Sequence, residues 1–401
     1  MVKLNIHYSK LSGNYLFPEI AKRVAATPSK RPLLNLGVGD VTRPLPPSVV
    51  SALSEAVLEM GDPQTFRGYG PSDGYPFLKN AISEHDYQGL IAPSEIFISE
   101  GAKSDIANIQ ELFCINNRVA LPDPTYPVYL DTTVMAGRSR PLLKTGRYGG
   151  ITYLPCNEEN GFCPHPPSDH CDLIYLCSPN NPTGSAMGRE LLKSWVDYAK
   201  AHQAIIIFDG AYEAYITSEG TPRSIYEIEG AREVAIEIRS YSKTAGFTGL
   251  RLSYTVVPHE LRLFDCGKEH SIHALWKRRQ DTKYGGAPYL IQKGAAAIYT
   301  PQGKKEIAET IDAYSQGARY LLEGLQSLGL SAYGGIDAPY IWCKTPDRLT
   351  SWQFFDRLLE KGVIAIPGCG FGLQGERFVR FSAFAPKEIL TEALTHIQDA
   401  L

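Results

Sequence analysis

The sequence predicts an α/β fold, in which helices cover both faces of a mainly parallel sheet. Six short runs in the middle of the chain are continuously apolar, which is typical of strands that are buried on both faces. Helical patterns lie between several of these runs, and this alternation is typical of an α/β sheet. The six runs occupy residues 95–98, 118–121, 172–177, 204–208, 233–238 and 251–257.

Helical patterns and the second half of the chain complete the predicted architecture. The middle of the chain has helical patterns at 105–113, 188–202 and, more briefly, 225–230. A long amphipathic pattern, three β-rich pieces and a final helix follow at 304–328, 331–344, 363–366, 378–382 and 386–401. We therefore predict a large domain over residues 46–290 and a smaller α/β C-terminal domain over residues 291–401. Residues 1–45 show little periodicity, so we expect an extended N-terminal arm that belongs to the small domain.

The composition argues against several classes of partner. The chain has 401 residues and a formal net charge of −3, which does not favour a nucleic-acid or anionic-membrane surface. No apolar stretch has the length of a transmembrane helix, and the first residues lack the apolar segment of a signal peptide. The eight cysteines form no C-x-x-C pair and the nine histidines form no ligand set. We therefore predict a cytoplasmic protein without a metal site.

A lysine motif directly follows the fifth apolar run. The segment Ser240-Tyr-Ser-Lys243 continues into Gly246-Phe-Thr-Gly249-Leu-Arg251. Ligands of such sheets bind at the carboxyl ends of strands, and hydroxyls, glycine backbone and an arginine together can bind a phosphate. A lysine beside a phosphate site predicts a Schiff base with a phosphate-bearing aldehyde, which is pyridoxal phosphate. The alternative is a surface loop rich in Ser, Gly and Lys.

Three weaker motifs also stand just past predicted strands. Asp209 could hold the protonated pyridine nitrogen of the cofactor or cap the next helix. Asn181, in Ser178-Pro-Asn-Asn-Pro-Thr-Gly184, could donate to the phenolate oxygen of the ring or belong to a plain turn. Residues 99–105 could bind the phosphate through helix N–H groups or form an ordinary helix start. Because all four motifs follow strands, their convergence predicts a pyridoxal phosphate enzyme.

The same residues resemble the fold-type I aminotransferases. The N-P-T-G turn, D-x-x-Y, S-x-S-K and an arginine eight residues after the lysine occur in that family's order. The resemblance implies that Lys243 binds the cofactor covalently and moves the proton, and that Asp209 holds the pyridine nitrogen. It implies that Tyr126 stacks on the ring, and that Asn181 and Tyr212 bond the ring oxygen.

The resemblance also assigns the phosphate and the substrate carboxylate. Phosphate binding would fall to Ser240, Ser242, Arg251, the backbone of Ala102 and Lys103, and Tyr69 of the neighbouring subunit. Arg380, with a backbone contact from Gly39, would bind the α-carboxylate. A shared Tyr69 implies a homodimer whose two active sites each use residues from both chains.

Over nearly the whole chain, the resemblance narrows to the LL-diaminopimelate aminotransferase family. The matching segments include residues 14–20, 36–42, 66–71, 101–103, 247–249, 276–280 and 333–340. That family interconverts tetrahydrodipicolinate plus glutamate with LL-diaminopimelate plus 2-oxoglutarate, in lysine and cell-wall synthesis. The implied substrate-binding residues are Tyr15, Gly39, Ser72, Lys103, Asn181, Gly285 and Arg380.

Two positions depart from that family's pattern. The family usually has Glu where this chain has Ser72 and Asn where it has Gly285, and both positions help to recognise the distal amino-acid end of diaminopimelate. A buried charge without its partner costs roughly 3–5 kcal/mol, which is on the order of 10²–10⁴ in discrimination. Asp73 is a candidate substitute for the missing carboxylate. The departures leave open a same-family aminotransferase with a different L-amino-acid substrate.

Two other classes of function would use the same fold. A pyridoxal phosphate enzyme of another reaction class, such as a lyase or oxidase, would have the same cofactor residues. A ligand-sensing regulator usually carries an added DNA-binding domain, and we expect none because the predicted fold accounts for the sequence.

Overall fold

The computed structural model describes residues 1–11, 16–27, 32–346 and 348–401. Its helices are α1 Leu16–Ala26, α2 Pro47–Gly61, α3 Pro76–Tyr87, α4 Ala102–Asn108, α5 Pro127–Met135, α6 Arg189–His202, α7 Tyr241–Thr244, α8 Ile272–Lys283, α9 Tyr289–Ala296, α10 Pro301–Ser327, α11 Ser351–Glu360 and α12 Lys387–Gln398. Its strands are β1 Leu34–Asn35, β2 Ile96–Ser99, β3 Val119–Asp123, β4 Ile151–Pro155, β5 Leu173–Cys177, β6 Ile205–Asp209, β7 Ala235–Ser240, β8 Ser253–Val256, β9 Arg262–Asp265, β10 Lys268–Ser271, β11 Ala332–Gly334, β12 Tyr340–Lys344, β13 Val363–Ile364, β14 Ile366–Pro367 and β15 Phe378–Ser382.

A seven-stranded sheet in the order β2-β8-β7-β6-β5-β3-β4 forms the larger part of the molecule. Strand β8 runs antiparallel to its neighbours β2 and β7, and the pairs among the remaining strands are parallel. Consequently β2, β3, β5, β6 and β7 all end at one edge of the sheet, and β8 begins there.

Alternate residues of β6 show why its sequence is continuously apolar. Ile206 and Phe208 pack into one apolar cluster, and Ile205 and Ile207 pack into another on the opposite face. All four side chains are buried. Fully burying one such side chain stabilises a protein by about 1.5–3 kcal/mol, so an alternating polar residue would be disfavoured on either face.

All six predicted apolar runs overlap a strand of this sheet, and the predicted fold class is confirmed. The seventh strand, β4, was not predicted because only Leu154 within it is buried. The predicted short helix at 225–230 is instead a single 3₁₀ turn, Ile225–Glu227. The Ser224 side chain caps this turn by accepting from the Tyr226 N–H.

A smaller four-stranded antiparallel sheet, in the order β11-β12-β15-β14, is packed against α10, α11 and α12. The short strand β1 pairs in parallel with β13, and Leu34 and Leu36 are buried in the same apolar cluster. This pairing attaches the N-terminal segment to the C-terminal part of the chain, and the Ser382 N–H of β15 also donates to Leu36 O at 2.6 Å. The domain limits given above remain a prediction.

The expectation of an extended arm was wrong for Leu16–Ala26, which is helical. Arg23 of this helix donates to Asp356 of α11 at 2.9 Å and lies 4.0 Å from the ring centroid of Trp352. Contacts with α11 therefore stabilise this helix, whose short amphipathic pattern the expectation of an extended arm overlooked.

Candidate active site

A cavity of about 560 Å³ lies at the edge where the parallel strands end. Twelve of the predicted site residues line it, from several strand ends and from the small sheet. They are Gly39, Ala102, Lys103, Tyr126, Asn181, Asp209, Tyr212, Ser240, Ser242, Lys243, Arg251 and Arg380. The structure thus brings together residues that are up to 341 positions apart, as the difference between 39 and 380 shows.

Lys243 enters the cavity from α7, immediately after β7. The Ser240 side chain caps that short helix by accepting from the Ser242 N–H at 3.1 Å. Lys243 Nζ donates to the backbone oxygen of Gly39. Burial lowers the pKa of Lys243 to about 8, Asp40 opposes this shift, and the cations Arg380, Arg251 and Lys103 add to it. A lysine with this pKa is partly neutral near physiological pH, as a nucleophile or base must be.

Asp209 ends β6 and is 6% exposed. Its Oδ2 accepts from Tyr129 Oη at 2.6 Å, and its Oδ1 accepts from the Ala211 N–H at 3.0 Å. Among the described residues it has no ion-pair partner, and burial raises its pKa although both hydrogen bonds oppose the rise. A buried carboxylate in this state is stabilised by a cation that enters the cavity.

A cradle of hydroxyl and guanidinium groups lies where β2, β7 and β8 meet the cavity. Arg251 Nη1 donates to Ser242 Oγ at 3.3 Å. Gly101 has φ +128°, and a Cβ at that position would collide with the guanidinium of Arg251. Glycine therefore allows both the backbone conformation and the close approach of the arginine.

Arg380 lies on β15 and is 2% exposed. Its Nη1 donates to Asn181 Oδ1 at 2.6 Å and its Nη2 donates to Gly37 O at 2.7 Å. Its Nε has no hydrogen-bond partner among the described residues. The guanidinium is 4.4 Å from the ring centroid of Tyr340 and 5.0 Å from that of Phe371. An orphaned donor on a buried cation points to an anionic ligand.

Tyr212 and Tyr340 join the two sheets across the cavity. Their hydroxyl oxygens are 2.7 Å apart, and their rings pack edge to face at 5.1 Å. A Cβ at Gly39 would collide with the Tyr340 hydroxyl, so a glycine is needed beside Lys243.

Three of the predicted residues that the structure describes do not line this cavity. Tyr69 is fully exposed at 104%, and the half-buried Ser72 and the exposed Gly285 lie on two adjacent loops. The two loops approach each other closely at Gly286, where a Cβ would lie only 2.8 Å from Pro71 O. Tyr15 lies outside the described residues.

The proposed substitute carboxylate, Asp73, is already paired within the chain. Its Oδ2 lies 2.5 Å from Lys79 Nζ of α3. A different carboxylate is bonded to Ser72, since Ser72 Oγ donates to Asp281 Oδ1 of α8. The structure therefore places a carboxylate from α8 beside Ser72.

Sequence reasoning missed Asp40, Tyr129, Thr248 and Tyr340, which also line the cavity. Tyr129 stands three residues after Tyr126, in the first turn of α5, and the two rings pack edge to face at 5.7 Å. That signal could have predicted its position. No comparable pattern marks Tyr340, because it reaches the cavity from the second sheet.

The residues that line the cavity fit pyridoxal phosphate. Hydroxyl and guanidinium donors come from the side of β2, β8 and β7, and the buried acid and Asn181 come from the side of β6 and β5. Lys243 lies beyond β7, between the two sets. A phosphate matches the first set, a ring nitrogen and phenolate match the second, and an aldehyde matches the lysine.

Comparisons with known proteins agree with this chemistry. Residues 31–397 match the sequence model of the aminotransferase class I and II family. The LL-diaminopimelate aminotransferase of Methanosphaera stadtmanae is 52% identical over 99% of this chain and 98% of its own length. The L,L-diaminopimelate aminotransferase structure from Chlamydomonas reinhardtii is 41% identical, covers 100% of this chain and 98% of its own, and has a TM-score of 0.93. Aspartate aminotransferase from Thermus thermophilus, at 23% identity, full coverage of both chains and a TM-score of 0.84, shows the shared fold.

Proposed function

The chain belongs to the class I and II aminotransferases and uses pyridoxal phosphate, and from this premise we propose that it transfers an amino group between LL-diaminopimelate and 2-oxoglutarate. In the synthetic direction it would convert tetrahydrodipicolinate, with glutamate as donor, to LL-diaminopimelate for lysine synthesis. The observation that carries this proposal is one cavity that holds Lys243, Asp209 and Arg380, in a chain 52% identical to a named relative of that activity.

The chain's own residues divide the work of the reaction. The bound cofactor supplies an electron sink that stabilises negative charge at the substrate Cα. Lys243 attaches the cofactor, and its Nζ removes the proton from the substrate Cα, a positioned transfer that typically contributes about 10²–10⁴-fold. Asp209, which is buried without an ion pair among the described residues, keeps the ring nitrogen protonated. Arg380 binds the α-carboxylate, and its unpaired Nε supports this role.

The remaining site residues orient the cofactor and the substrate. We assign the phosphate to Ser240, Ser242, Arg251 and the backbone of Ala102 and Lys103, and the ring oxygen to Asn181 and Tyr212. Tyr126 stacks on the ring, and Gly39 contacts the substrate through its backbone. The hydrogen bonds among Ser240, Ser242 and Arg251 support the phosphate assignment, because they hold three donors at one end of the cavity.

We propose that Asp281 supplies the distal carboxylate that Ser72 lacks. Ser72 Oγ fixes Asp281 Oδ1, and Lys277 Nζ lies 3.1 Å from both of its oxygens. These contacts lower the pKa of Asp281, with the Ser72 bond as the first cause, so the group stays ionised at neutral pH. The Asp281–Lys277 pair is more exposed than the Asp73–Lys79 pair, so it holds its carboxylate less strongly. Asp281 does not line the cavity of its own chain, so in this proposal it serves an ammonium group on a substrate bound in the neighbouring subunit.

A steady-state panel with 2-oxoglutarate as acceptor tests the proposed substrate. We expect LL-diaminopimelate to give the highest kcat/KM when it is compared with lysine, ornithine and aromatic amino acids. Asp281→Asn is expected to lower kcat/KM by about 10- to 100-fold for LL-diaminopimelate. It should leave the reaction of glutamate unaffected, which is measured without acceptor as the change in absorbance of the bound cofactor. Equal losses for both substrates would contradict the role of Asp281.

Ser72 and Gly285 favour a second candidate, a same-family aminotransferase for another L-amino acid. In that case LL-diaminopimelate would be inert in the panel while a different amino acid reacts with 2-oxoglutarate. Product formation without any acceptor would instead indicate a pyridoxal phosphate enzyme of another reaction class.

We also propose a homodimer with shared active sites, in the cytoplasm. Tyr69 is fully exposed and does not line the cavity of its own chain. Val57, Leu58 and Phe66 nearby in sequence expose 58%, 74% and 61% of their surface, which supports a partner interface. All eight cysteines are free, as in a reducing compartment. In the described part of the chain, no helix has both the length and the apolar character needed to span a membrane.

A further inference from the structure

A line of buried polar groups lies behind the phosphate side of the cavity. It comprises Ser99, Asp105, Ser253 and Thr255, and each of these residues is at most 2% exposed. None of the four lines the cavity, so the reaction as described makes no use of them. Burying four polar side chains costs free energy of folding unless their hydrogen bonds offset it. Such a cluster is therefore expected to serve the structure or the site.

The hydrogen bonds in this line run in one direction. The Gly101 N–H donates to Ser253 Oγ at 3.0 Å, which leaves the Ser253 hydroxyl proton for Ser99 Oγ at 3.1 Å. Ser99 Oγ then donates to Asp105 Oδ2, and Thr255 Oγ1 donates to the same oxygen at 2.5 Å. The backbone N–H of the residue before the cavity-lining Ala102 is therefore connected to a buried carboxylate through two serine hydroxyls.

The line connects the elements that carry the phosphate cradle. Ser253 pairs with Ser99 across β8 and β2, and with Ser240 across β8 and β7. Gly101 adopts φ +128°, and its missing Cβ leaves room for the Arg251 guanidinium. A small shift of the Gly101 turn would therefore move the backbone of the next residues relative to Arg251.

We propose that Asp105 is a positioning residue for phosphate binding, holding the Gly101 turn against Arg251 through Ser99 and Ser253. The proposal rests on the assignment of the cofactor phosphate to this cradle. Asp105 touches neither the cofactor nor the substrate, and it acts by accepting the last hydrogen bond of the line. A charged acceptor makes such bonds roughly twice as strong as a neutral one.

The charges that surround Asp105 set the pH at which the line works. Burial raises the pKa of Asp105 to about 6, while the bonds from Ser99 and Thr255 and the cation Arg279 of α8 oppose the rise. Glu100 adds to it, and the negative charge of Asp105 contributes to the raised pKa of Tyr284. Asp105 is therefore mostly ionised above pH about 6 and mostly protonated below it. At the lower pH its side chain is neutral, as it is in the Asp105→Asn variant.

The test measures cofactor binding by full-length chain from which pyridoxal phosphate has been removed. At pH 8 we expect Asp105→Asn and Ser253→Ala each to raise the Kd for pyridoxal phosphate by about tenfold. The Kd of the double variant should not exceed the higher of the two single-variant values, because both changes break the same line of hydrogen bonds. Inorganic phosphate, titrated as a second probe, should show a similar loss without any contribution from the ring or from Lys243.

The pH profile separates positioning from general destabilisation. The Kd ratio of Asp105→Asn to wild type should fall towards one below pH about 6, because wild-type Asp105 is then neutral too. Asp86→Asn is the matched control, since Asp86 is another carboxylate that accepts from two hydroxyls, those of Tyr254 and Tyr299. It should lower the melting temperature and leave the Kd unchanged.

Two results would overturn the proposal. One is an Asp105→Asn variant that binds pyridoxal phosphate as tightly as wild type or more tightly, which would show that the carboxylate only repels the phosphate. The other is a Kd ratio that stays constant with pH. If instead the cavity is not the cofactor site, wild type and Lys243→Ala would bind pyridoxal phosphate equally, and this result distinguishes the two failures.

Discussion

At the scale of single residues, the site depends on buried charged groups that the chain itself pairs only partly. Asp209 has two hydrogen-bond donors and Arg380 has two acceptors, yet each retains a charge without an ion pair among the described residues. This incomplete pairing is what a cofactor and a substrate can satisfy on binding. It also makes the residues that do pair with these groups sensitive to mutation.

Replacing Tyr129 with Phe should weaken cofactor binding. Tyr129 Oη donates to Asp209 Oδ2 at 2.6 Å, and a hydrogen bond to a charged group contributes about 1.5–3 kcal/mol, or roughly 10- to 100-fold in Kd. The Kd for pyridoxal phosphate, measured by titration of cofactor-free chain, checks this. Tyr175→Phe is the control, because Tyr175 stacks on Tyr129 but does not line the cavity. Equal effects of the two changes would assign the loss to packing.

Attachment of the cofactor to Lys243 should become faster as the pH rises through about 8. Burial lowers the pKa of Lys243 to this value from 10.5, and the neutral amine is the attacking form. Asp40 raises the same pKa, so Asp40→Asn should move the midpoint to lower pH. Stopped-flow absorbance of pyridoxal phosphate mixing with cofactor-free chain measures both midpoints. A midpoint near that of an ordinary lysine would contradict the described environment.

At the scale of elements, most of the large sheet and the strand-end motifs could be predicted from the sequence. Runs such as residues 204–208 are apolar because both faces of the sheet are covered, and this pattern is local. Strand β4 escaped prediction because only Leu154 within it is buried, which leaves no apolar run. Helix α1 is amphipathic but short, and its pattern went unrecognised in a segment with little periodicity overall. Tyr340 escaped because only the packing of the two sheets brings it to Tyr212.

The turn from β2 to α4 allows only glycine at position 101. Gly101→Ala should raise the Kd for pyridoxal phosphate by about tenfold or more, because φ +128° disfavours alanine and the added Cβ displaces Arg251. Gly249→Ala is the matched control in the Arg251 loop, since a Cβ there meets nothing within 4 Å. Binding titrations of both variants check the prediction, and equal Kd values for the two would refute it.

At the scale of the whole molecule, the cavity joins the large sheet and the small sheet but lacks Tyr69. Its remaining walls come from β15 and from the segment before α2, through Arg380 and Gly39. Tyr69 and Gly285 are exposed, Ser72 is half-buried, and none of the three lines the cavity of its own chain. In the proposed homodimer, a second copy would complete each site.

Mixing two inactive variants should restore activity. A dimer of one Lys243→Ala chain and one Tyr69→Ala chain has a site with Lys243 from one chain and Tyr69 from the other. After random subunit exchange we expect about a quarter of wild-type activity, because half of the dimers are mixed and each has one restored site. Assays before and after exchange measure this. No recovery, with exchange verified by mass labels, would show that Tyr69 serves its own chain or neither.

The most direct test of the central claim is a single turnover of the purified holoenzyme with LL-diaminopimelate. The account predicts that this amino acid changes the visible absorbance of the bound cofactor, and that 2-oxoglutarate restores it. The rate should exceed those for lysine, ornithine and aromatic amino acids by about tenfold or more, and Lys243→Ala should abolish the change. If LL-diaminopimelate leaves the absorbance unaltered while another amino acid changes it, the cavity is an aminotransferase site for a different substrate.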